Sequence, residues 1–526
     1  MSVAGKRFGK NVTNQFKSKI LKIALFATGL AGIVAEYVLS TLATYFLGDS
    51  VFQWTMIVSI MLFSMGLGSR ISKSFTNNLL QKFIYVEFTL SILSAFAALL
   101  AYTAAAYTAY TGLLIYSFSI SIGLLIGLEI PLVIRLNQDF EELKINISSV
   151  MEKDYYGSLL GGVFFAFIGL PYLGLTYTPF VLGITNFLVA LLLLAVLWPA
   201  IVLEARGKLI SLSFAVGLFL LAGLIFAKPI ILHGEQRRYK DKVIYEEQSR
   251  YQRIVITQWK NDYWLFINGN QQLSSLDEEM YHEPLVHPAM SLLPQPKSVL
   301  VLGGGDGCAV REILKYPEVE HITLVDLDPA MTHLGKEHPV LLQMNEGSLN
   351  SAKVEIINDD AFHFLENTRQ YYDVVIIDLP DPKSVELGRL YSMEFYKLAS
   401  RQMRPNGVLI TQAGSPYFAT KAFHCIDKSM EAAGFETQAL HNQVLTLGEW
   451  GWVLGVKTER EIELKKRLQA LTYDDLETQW INQEAMMLIT SFGKDFFLNS
   501  GDSIRINTIH DPVLYRYYLD GNWDIY

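Results

Sequence analysis

Apolar segments long enough to cross a bilayer fill the first 228 residues of this 526-residue chain. A backbone inside a bilayer has to satisfy its hydrogen bonds internally, so such segments fold as helices. Seven segments of this kind are present: Ile23–Leu47, Val51–Leu67, Phe83–Tyr107, Gly112–Ile134, Gly157–Leu175, Thr178–Leu197 and Leu209–Ala227. Residues 1–228 are therefore predicted to form a multi-pass α-helical membrane domain of about seven helices.

Five residues in these segments carry a more specific prediction. Gly157 and Gly161 are spaced to let two helices approach closely. Three acids, Glu36, Glu87 and Glu129, are candidate functional groups, because a carboxylate in hydrocarbon is costly. They fit a site or path for a cation. They fit equally hydrogen bonds between helices or a position near the bilayer surface.

Basic residues alternate between the loops and indicate which side each loop faces. They precede the first segment and recur in every second loop: Lys6, Arg7, Lys10, Lys17 and Lys19; Arg70, Lys73 and Lys82; Arg135, Lys144 and Lys153; Arg206 and Lys208. The positive-inside rule places the N-terminus in the cytoplasm, and seven crossings then place everything after Lys228 outside. A domain that uses a cytosolic nucleotide-like substrate has to lie inside. We therefore expect the soluble domain to be cytoplasmic, although the count of seven crossings places it outside.

Residues 229–526 read as a soluble region of three parts. A polar, basic linker and three strand-like runs ending at the hairpin signal Asn268-Gly269 predict a small β-lid over residues 229–292. Alternating strands and helices predict a Rossmann-like, doubly wound α/β domain over residues 293–459. The C-terminal extension, residues 460–526, is polar with scattered aromatic residues and receives no chemistry.

A glycine-rich turn gives the α/β domain its first functional signal. The apolar run Val299–Leu302 is followed by three glycines, including Gly303 and Gly305, that let the backbone turn tightly and approach a ligand. Asp326 follows at the end of the next strand, about 20 residues on, where a carboxylate can bind ribose hydroxyls. The pattern predicts a nucleotide site.

Acidic residues follow several of the predicted strands. They meet at one edge of the sheet: Asp306, Asp326, Asp360, Asp378 and Asp381. A cationic ligand explains five converging acids better than helix capping does. The net charge of −9 agrees, since it argues against nucleic acid as a partner. Two cysteines are too few for a disulfide framework.

Several motifs in a fixed order are specific to one family. They are GGGDG at Gly303–Gly307, VDLD at Val325–Asp328, DDAF at Asp359–Phe362, DLPDP at Asp378–Pro382, SRYQ at Ser249–Gln252, LDEEMYHE at Leu276–Glu283, LYSMEFY at Leu390–Tyr396 and GEWGW at Gly448–Trp452. Together they resemble the spermidine synthase (polyamine aminopropyltransferase) family from roughly Tyr245 to Lys457. The membrane segment resembles that of the multi-pass bacterial members.

The resemblance implies a reaction. The aminopropyl group of decarboxylated S-adenosylmethionine would move to putrescine, giving spermidine and methylthioadenosine, with no prosthetic group and no metal. It also implies roles for residues of this chain. Gln252, Asp326, Asp360 and Ala361, next to the glycine turn, would bind the methylthioadenosine part. His282 and Asp306 would contact amines, Asp378 would be the catalytic base, and Asp381, Tyr281 and Gln272 would contact the polyamine.

The chain departs from the family pattern at two places. The family often continues Ile/Val-Gly-Pro where this chain has Lys383-Ser384-Val385, which bears on an adenine-side contact. Many soluble members have a tyrosine where this chain reads Thr446-Leu447-Gly448, which bears on the acceptor pocket and on putrescine specificity. Two other functions also stay open. One is a methyltransferase using ordinary S-adenosylmethionine, which Asp306 and the DLPDP acids disfavour. The other is a polyamine transporter or sensor with a binding-only soluble domain, which the intramembrane glutamates favour. The expected partners are small amines, a nucleoside sulfonium and the lipid bilayer; a homo-oligomer is left open.

Overall fold

The computed structural model describes residues 3–48, 50–108, 110–138, 140–458, 462–494, 496–497 and 504–523, without the side chains of residues 3–13 and 235. The predicted boundary at residues 459 and 460, and the side chains of Lys6, Arg7 and Lys10, lie outside this description. The chain divides into two compact units, Met1–Lys240 and Asp241–Tyr526. The first unit extends beyond the predicted boundary at residue 228, because its last helix continues to Arg238.

Long helices make up the described part of the first unit. They are α1 (Val3–Leu47), α2 (Ser50–Ile71), α3 (Leu79–Tyr107), α4 (Thr111–Asn137), α5 (Leu143–Phe164), α6 (Gly174–Val196) and α7 (Leu203–Arg238). Among the described residues, six segments are long and apolar enough to cross a membrane by length and composition. The count is one below the predicted seven because Gly157–Leu175 and Thr178–Leu197 fall in one continuous segment, Leu143–Val196.

That continuous segment is bent back on itself. A π-helical stretch, Phe165–Leu173, leads from α5 to Gly174, whose φ is +60°. Thr178 Oγ1 donates a hydrogen bond of 2.8 Å to the carbonyl of Gly169. Residues nine apart in a straight helix would be separated by about 13 Å, so the chain reverses here and α5 runs antiparallel to α6.

Two glycines bring α5 against α1. A Cβ at Gly157 would lie 2.0 Å from the carbonyl oxygen of Phe26, and one at Gly161 would lie 2.5 Å from that of Leu30. Only glycine permits this approach, which confirms the predicted role of the two residues.

The bundle of the first unit has one basic end. Lys22 on α1 pairs with Glu141 at 2.7 Å, and Arg135 donates to the carbonyls of Ser72 and Phe75, both at 2.8 Å. At the other end, the Tyr107 hydroxyl lies 3.1 Å from His233 Nε2, near the end of α7. Helix α7 therefore ends opposite the basic end.

The second unit begins with a small antiparallel sheet. Its strands pair in chain order: β1 (Lys242–Gln248), β2 (Arg253–Trp259), β3 (Asp262–Ile267) and β4 (Asn270–Ser274). Asn268 and Gly269, both with positive φ, form the predicted turn between β3 and β4. Its function as a lid stays a prediction.

A seven-stranded sheet forms the centre of the second unit. Its strands are β5 (Ser298–Gly303), β6 (His321–Asp326), β7 (Val354–Asn358), β8 (Tyr372–Asp378), β9 (Met403–Gly414), β10 (Glu436–Val444) and β11 (Gly448–Val456). They lie in the order β10-β11-β9-β8-β5-β6-β7. Strands β5 to β9 are parallel, which confirms the α/β prediction, whereas β10 and β11 add an antiparallel edge that was not predicted.

Helices cover this sheet and extend from it. They are α8 (Glu279–Ser291), α9 (Cys308–Leu314), α10 (Pro329–Glu337), α11 (Pro339–Met344), α12 (Ala361–Asn367), α13 (Val385–Gly388), α14 (Met393–Arg401), α15 (Thr420–Ala432), α16 (Leu464–Gln469), α17 (Gln483–Ile489) and α18 (Leu514–Leu519). Strand β5 is buried on both faces: Val299 and Val301 belong to one core cluster, Leu300 and Leu302 to another. Its continuous apolar run is typical of a central parallel strand.

Candidate active site

A cavity of about 290 Å³ opens at the carboxyl ends of β5, β6 and β8. Its walls contain all twelve residues of the second unit for which the sequence predicted a catalytic or binding role: Gln252, Gln272, Tyr281, His282, Gly303, Gly305, Asp306, Asp326, Asp360, Ala361, Asp378 and Asp381. Parallel α/β sheets bind ligands at such a place, where the connections that follow two neighbouring strands run to opposite sides of the sheet. The structure thus brings these residues together, while the individual role of each one stays a prediction.

The floor of the cavity is the contact between the ends of β5 and β8. Gly303 is the register partner of Asp378, and Gly304 N–H donates to the Asp378 carbonyl at 3.1 Å. A Cβ at Gly303 would lie 2.0 Å from that carbonyl oxygen, and the φ of Gly303 is +83°. Any other residue would push the two strand ends apart.

Asp326 lies at the end of β6, held by two backbone donors. Its Oδ2 accepts from Gly305 N–H at 3.1 Å and its Oδ1 from Asp328 N–H at 2.9 Å. Burial raises the pKa of Asp326 to about 6, in spite of these bonds. A Cβ at Gly305 would lie 2.6 Å from Oδ2, so the glycine leaves room for this carboxylate.

Asp360 has a structural role that the sequence analysis did not assign. Its Oδ1 caps α12 by accepting from Phe362 N–H at 2.9 Å and His363 N–H at 3.2 Å. Its other oxygen pairs with Arg389. Asp360 and Ala361, the first residue of α12, are thereby fixed in the cavity wall.

Asp378 is the carboxylate at the centre of the cavity. Its Oδ1 accepts a 2.8 Å hydrogen bond from the Tyr281 hydroxyl. Burial, followed by the charge of Asp306, raises the pKa of Asp378 to about 6. Burial and the Asp378 charge also raise the pKa of Tyr281, so the tyrosine remains a donor. At neutral pH Asp378 is therefore mainly a carboxylate with a pKa close enough to 7 to exchange protons.

His282 supplies a positive charge beside these acids. Its Nδ1 lies 2.7 Å from Glu278 Oε2, and its Nε2 lies 3.9 Å from Asp306 Oδ1. Burial lowers the pKa of His282, but the hydrogen bond to Glu278 and the nearby acids outweigh this effect and raise it to about 9. Arg311 pairs with Glu278 at 2.5 Å, so a buried network fixes the imidazole.

Three groups of described residues have ligand atoms within 4.8 Å of one another: Glu278, His282 and Cys308; His282, Asp306 and Asp378; Glu283, His287 and Glu312. Protein cations already pair with acids of the first and third, because Arg311 contacts both Glu278 and Glu312. The second group lies in the cavity, and its histidine is held through Nδ1 by Glu278.

Two residues beside Asp381 received no role in the sequence analysis. The Tyr518 hydroxyl donates to Asp381 Oδ2 at 2.7 Å, and Lys383 Nζ lies 3.6 Å from the same oxygen. Lys383 also donates to Asn270 Oδ1 at 2.7 Å. No local signal marks Tyr518, which lies on α18, 137 residues beyond Asp381 in a segment to which no chemistry was assigned.

The two predicted glutamines belong to the small sheet. Gln252 lies just before β2, and its carbonyl accepts from Ser249 Oγ at 3.0 Å. Gln272 on β4 donates its amide to the carbonyls of Asn270 and Gln271, both at 3.2 Å. Both side chains line the cavity.

The fold and the cavity define a nucleotide-type α/β enzyme whose binding site is acidic and therefore suited to cationic ligands. A comparison with known families agrees: the model of the spermine/spermidine synthase domain matches residues 278–466. The chain is 38% identical to the polyamine aminopropyltransferase of Oceanobacillus iheyensis, covering 97% of this chain and 98% of the relative.

A second curated relative matches over nearly the full length. Polyamine aminopropyltransferase 2 of Aquifex aeolicus is 41% identical over 95% of this chain and 98% of its own. A crystal structure of spermidine synthase in complex with the transition state analogue AdoDATO is 26% identical, with a TM-score of 0.45 over 49% of this chain and 88% of its own. The chain belongs to the spermine/spermidine synthase family. It is an aminopropyltransferase, with decarboxylated S-adenosylmethionine as co-substrate and no prosthetic group.

Replacing Tyr518 by phenylalanine tests the predicted contact between Asp381 and the amine substrate. The Tyr518→Phe variant removes one hydrogen bond to Asp381, and a bond to a charged group contributes about 1.5–3 kcal/mol. We expect kcat/KM for the amine to fall about tenfold or more, with the KM of the donor unchanged. Tyr515→Phe, on the same helix, is the matched control. An equal loss in both variants, or a loss on the donor side, would contradict the assignment.

Proposed function

We propose that the enzyme makes spermidine by transferring the aminopropyl group of decarboxylated S-adenosylmethionine to putrescine. The observation that carries this proposal is Asp378, a partly buried carboxylate that accepts a hydrogen bond from Tyr281 and lines the same cavity as the glycine-rich turn and a second acid, Asp381. A proton acceptor at this place is what an amine nucleophile requires.

The nucleoside end of the donor lies against β6 and α12. Asp326 receives the ribose hydroxyls, because its carboxylate is held at the strand end by Gly305 and Asp328. Asp360 with Ala361 faces the adenine, and Gln252 contributes from the small sheet. Gly303 and Gly305 let the backbone approach the donor closely.

The chemical step is a displacement at carbon. The amine nitrogen forms a bond to the aminopropyl carbon while the bond from that carbon to the sulfonium sulfur breaks, and methylthioadenosine leaves with the electron pair. A free amine with a pKa of about 10.4 is mostly protonated at pH 7. Asp378 orients it and takes the proton that the nitrogen loses as it reacts. Tyr281 holds Asp378, and the cavity aligns the two substrates.

Asp306 and His282 discriminate between donors. The Asp306 carboxylate attracts the free amine of the decarboxylated donor and repels the carboxylate of ordinary S-adenosylmethionine. His282 places a positive charge beside Asp306: its Nε2 lies 3.9 Å from the Asp306 carboxylate, and the pKa of His282 is raised to about 9.

The helical unit is proposed to be a multi-pass domain of the cell membrane, supported by the six segments of spanning length and composition. We place the catalytic unit in the cytoplasm, since its donor is a charged nucleoside that does not cross hydrocarbon unaided. The basic end of the helical unit argues for the opposite side, because α7 ends away from it.

The acceptor can be identified by methylthioadenosine release. Purified full-length protein in detergent receives the decarboxylated donor with putrescine, cadaverine or spermidine in parallel. We expect release to be fastest with putrescine, and none when ordinary S-adenosylmethionine replaces the donor. Measurable donor binding without release from any amine would overturn the proposed reaction.

The role of Asp378 predicts a pH profile. Because the carboxylate is the active form and its pKa is about 6, kcat/KM should fall as the pH drops through about 6. Asp378→Asn should lower kcat by about 10²- to 10⁴-fold, abolish this acid limb and leave methylthioadenosine binding intact. The exposed Asp475→Asn is the control. An acid limb that survives in Asp378→Asn would assign the titration to another group.

Cysteine labelling tests the side of the membrane. Cys308 and Cys425 are buried, so the parent chain gives little background. In cells expressing the Glu337→Cys variant, an impermeant maleimide should react only after lysis, since this exposed side chain belongs to the catalytic unit. The Glu142→Cys variant reports the side of the basic end. Labelling of Glu337→Cys in intact cells would place the catalytic unit outside.

A further inference from the structure

Glu87 is a buried acid without a partner among the described residues. It is fully buried on α3, and neither of its carboxylate oxygens has a hydrogen-bond partner in the described part of the chain. Native proteins satisfy nearly all buried polar groups, so each exception requires an explanation. In a bilayer the requirement is stricter still, since water is absent. A ligand that donates hydrogen bonds would supply the missing partner.

A second unsatisfied acceptor faces this position from α6. Asn186 is 2% exposed, and its Oδ1 also has no partner among the described residues. Two contacts between α3 and α6 place Asn186 at the level of Glu87. The rings of Phe88 and Phe187 are 5.9 Å apart, and Ser91 Oγ donates to the Gly183 carbonyl at 2.6 Å. Asn186 therefore lies beside Glu87.

Further carboxylates continue from this point across the bundle. Glu129 on α4 is buried, with Oε1 unpartnered, and it is close enough to Glu87 for their charges to interact. Asp154 on α5 interacts with Glu129 in turn. Glu87 and Glu129 each lie eight residues from the basic ends of their helices, at a depth of about 12 Å. The acceptors thus meet at one level inside the bundle.

The chemistry of these groups defines the ligand that is missing. All are acceptors or acids, and no described ion pair joins Glu87, Glu129 or Asp154 to a lysine, arginine or histidine. The ligand has to provide both positive charge and N–H donors. A compact metal site does not fit, since among the described residues groups of three ligand atoms within 4.8 Å occur in the second unit alone. Acceptors distributed over α3, α4 and α6 suit an elongated cation.

We propose that the helical bundle binds one polyamine cation between α3, α4 and α6, with Glu87 and Glu129 as carboxylate partners of its ammonium groups and Asn186 as a further acceptor. The choice of a polyamine among organic cations rests on the proposed function of the catalytic unit. The site itself rests on the unsatisfied acceptors of the bundle.

Equilibrium binding of radiolabelled putrescine and spermidine to full-length protein in lipid nanodiscs tests the proposal. No donor is added, so no turnover occurs. An Asp381→Asn background weakens the catalytic cavity and isolates the bundle site. In that background we expect one equivalent of amine to bind, and Glu87→Gln to weaken this binding at least tenfold. Glu142→Gln, an exposed acid at the start of α5, is the matched control and should change nothing.

Folding is checked separately. Methylthioadenosine release by Glu87→Gln in the otherwise unchanged chain should stay within about twofold of the parent, and Glu129→Gln provides a second variant if Glu87→Gln does not fold. Binding that is the same with and without Glu87 and Glu129 would overturn the proposal. So would Glu87-dependent binding of radiolabelled sodium that polyamines fail to displace, which would make this an inorganic cation site. Failure of the proposed reaction is distinguishable, because it abolishes release and leaves bundle binding in place.

Discussion

The catalytic cavity depends on the contact between Gly303 and Asp378. Strands β5 and β8 are register partners at this point, and the glycine's missing side chain lets the Asp378 carbonyl come as close as it does. The positive φ of Gly303 then directs the chain away from the sheet and leaves the Asp378 side chain facing the open end. If the two strand ends were further apart, the hydrogen bond from Tyr281 to Asp378 would be lost, and with it the position of the carboxylate that we propose as the proton acceptor. The cavity is thus produced by backbone geometry before any side chain contributes.

The acids of this cavity are tolerated because each has a different source of compensation. Asp326 uses backbone N–H groups, Asp360 uses a helix start and Arg389, and Asp381 uses Tyr518 and Lys383. Asp378 has one hydroxyl donor, Tyr281, and burial together with the charge of Asp306 raises the pKa of Asp378 to about 6. In the proposed reaction an arriving amine completes this balance, so the same shortage of positive charge would both bind the substrate and prepare Asp378 to take its proton.

Much of this site could be predicted from the sequence, because it is built from strand ends. Asp326 and Asp378 follow short apolar runs directly, and parallel strands bring their carboxyl ends to one edge whatever the loops do. Tyr518 could not be predicted, since a contact across 137 residues leaves no local pattern. The antiparallel pair β10 and β11 was missed because polar and apolar residues alternate only weakly along these two strands. In the first unit, composition identified the apolar segments, but the reversal at Gly174 depends on one backbone conformation and on Thr178, which periodicity does not encode.

Glu278 in the catalytic unit and Glu87 in the helical unit are both buried acids, but their surroundings differ. This contrast supports different functions for the two residues. In the catalytic unit, Glu278 illustrates the structural solution: His282 and Arg311 pair with it, and the pKa of Glu278 is lowered in spite of burial. Such an acid organises its neighbours and needs no ligand. Among the described residues, Glu87 has neither a cation nor a hydrogen-bond donor as partner, although it is equally buried. Stability alone would favour leucine or alanine at that position, since an unsatisfied buried carboxyl destabilises the fold. A group that reduces stability without pairing is explained by what it binds.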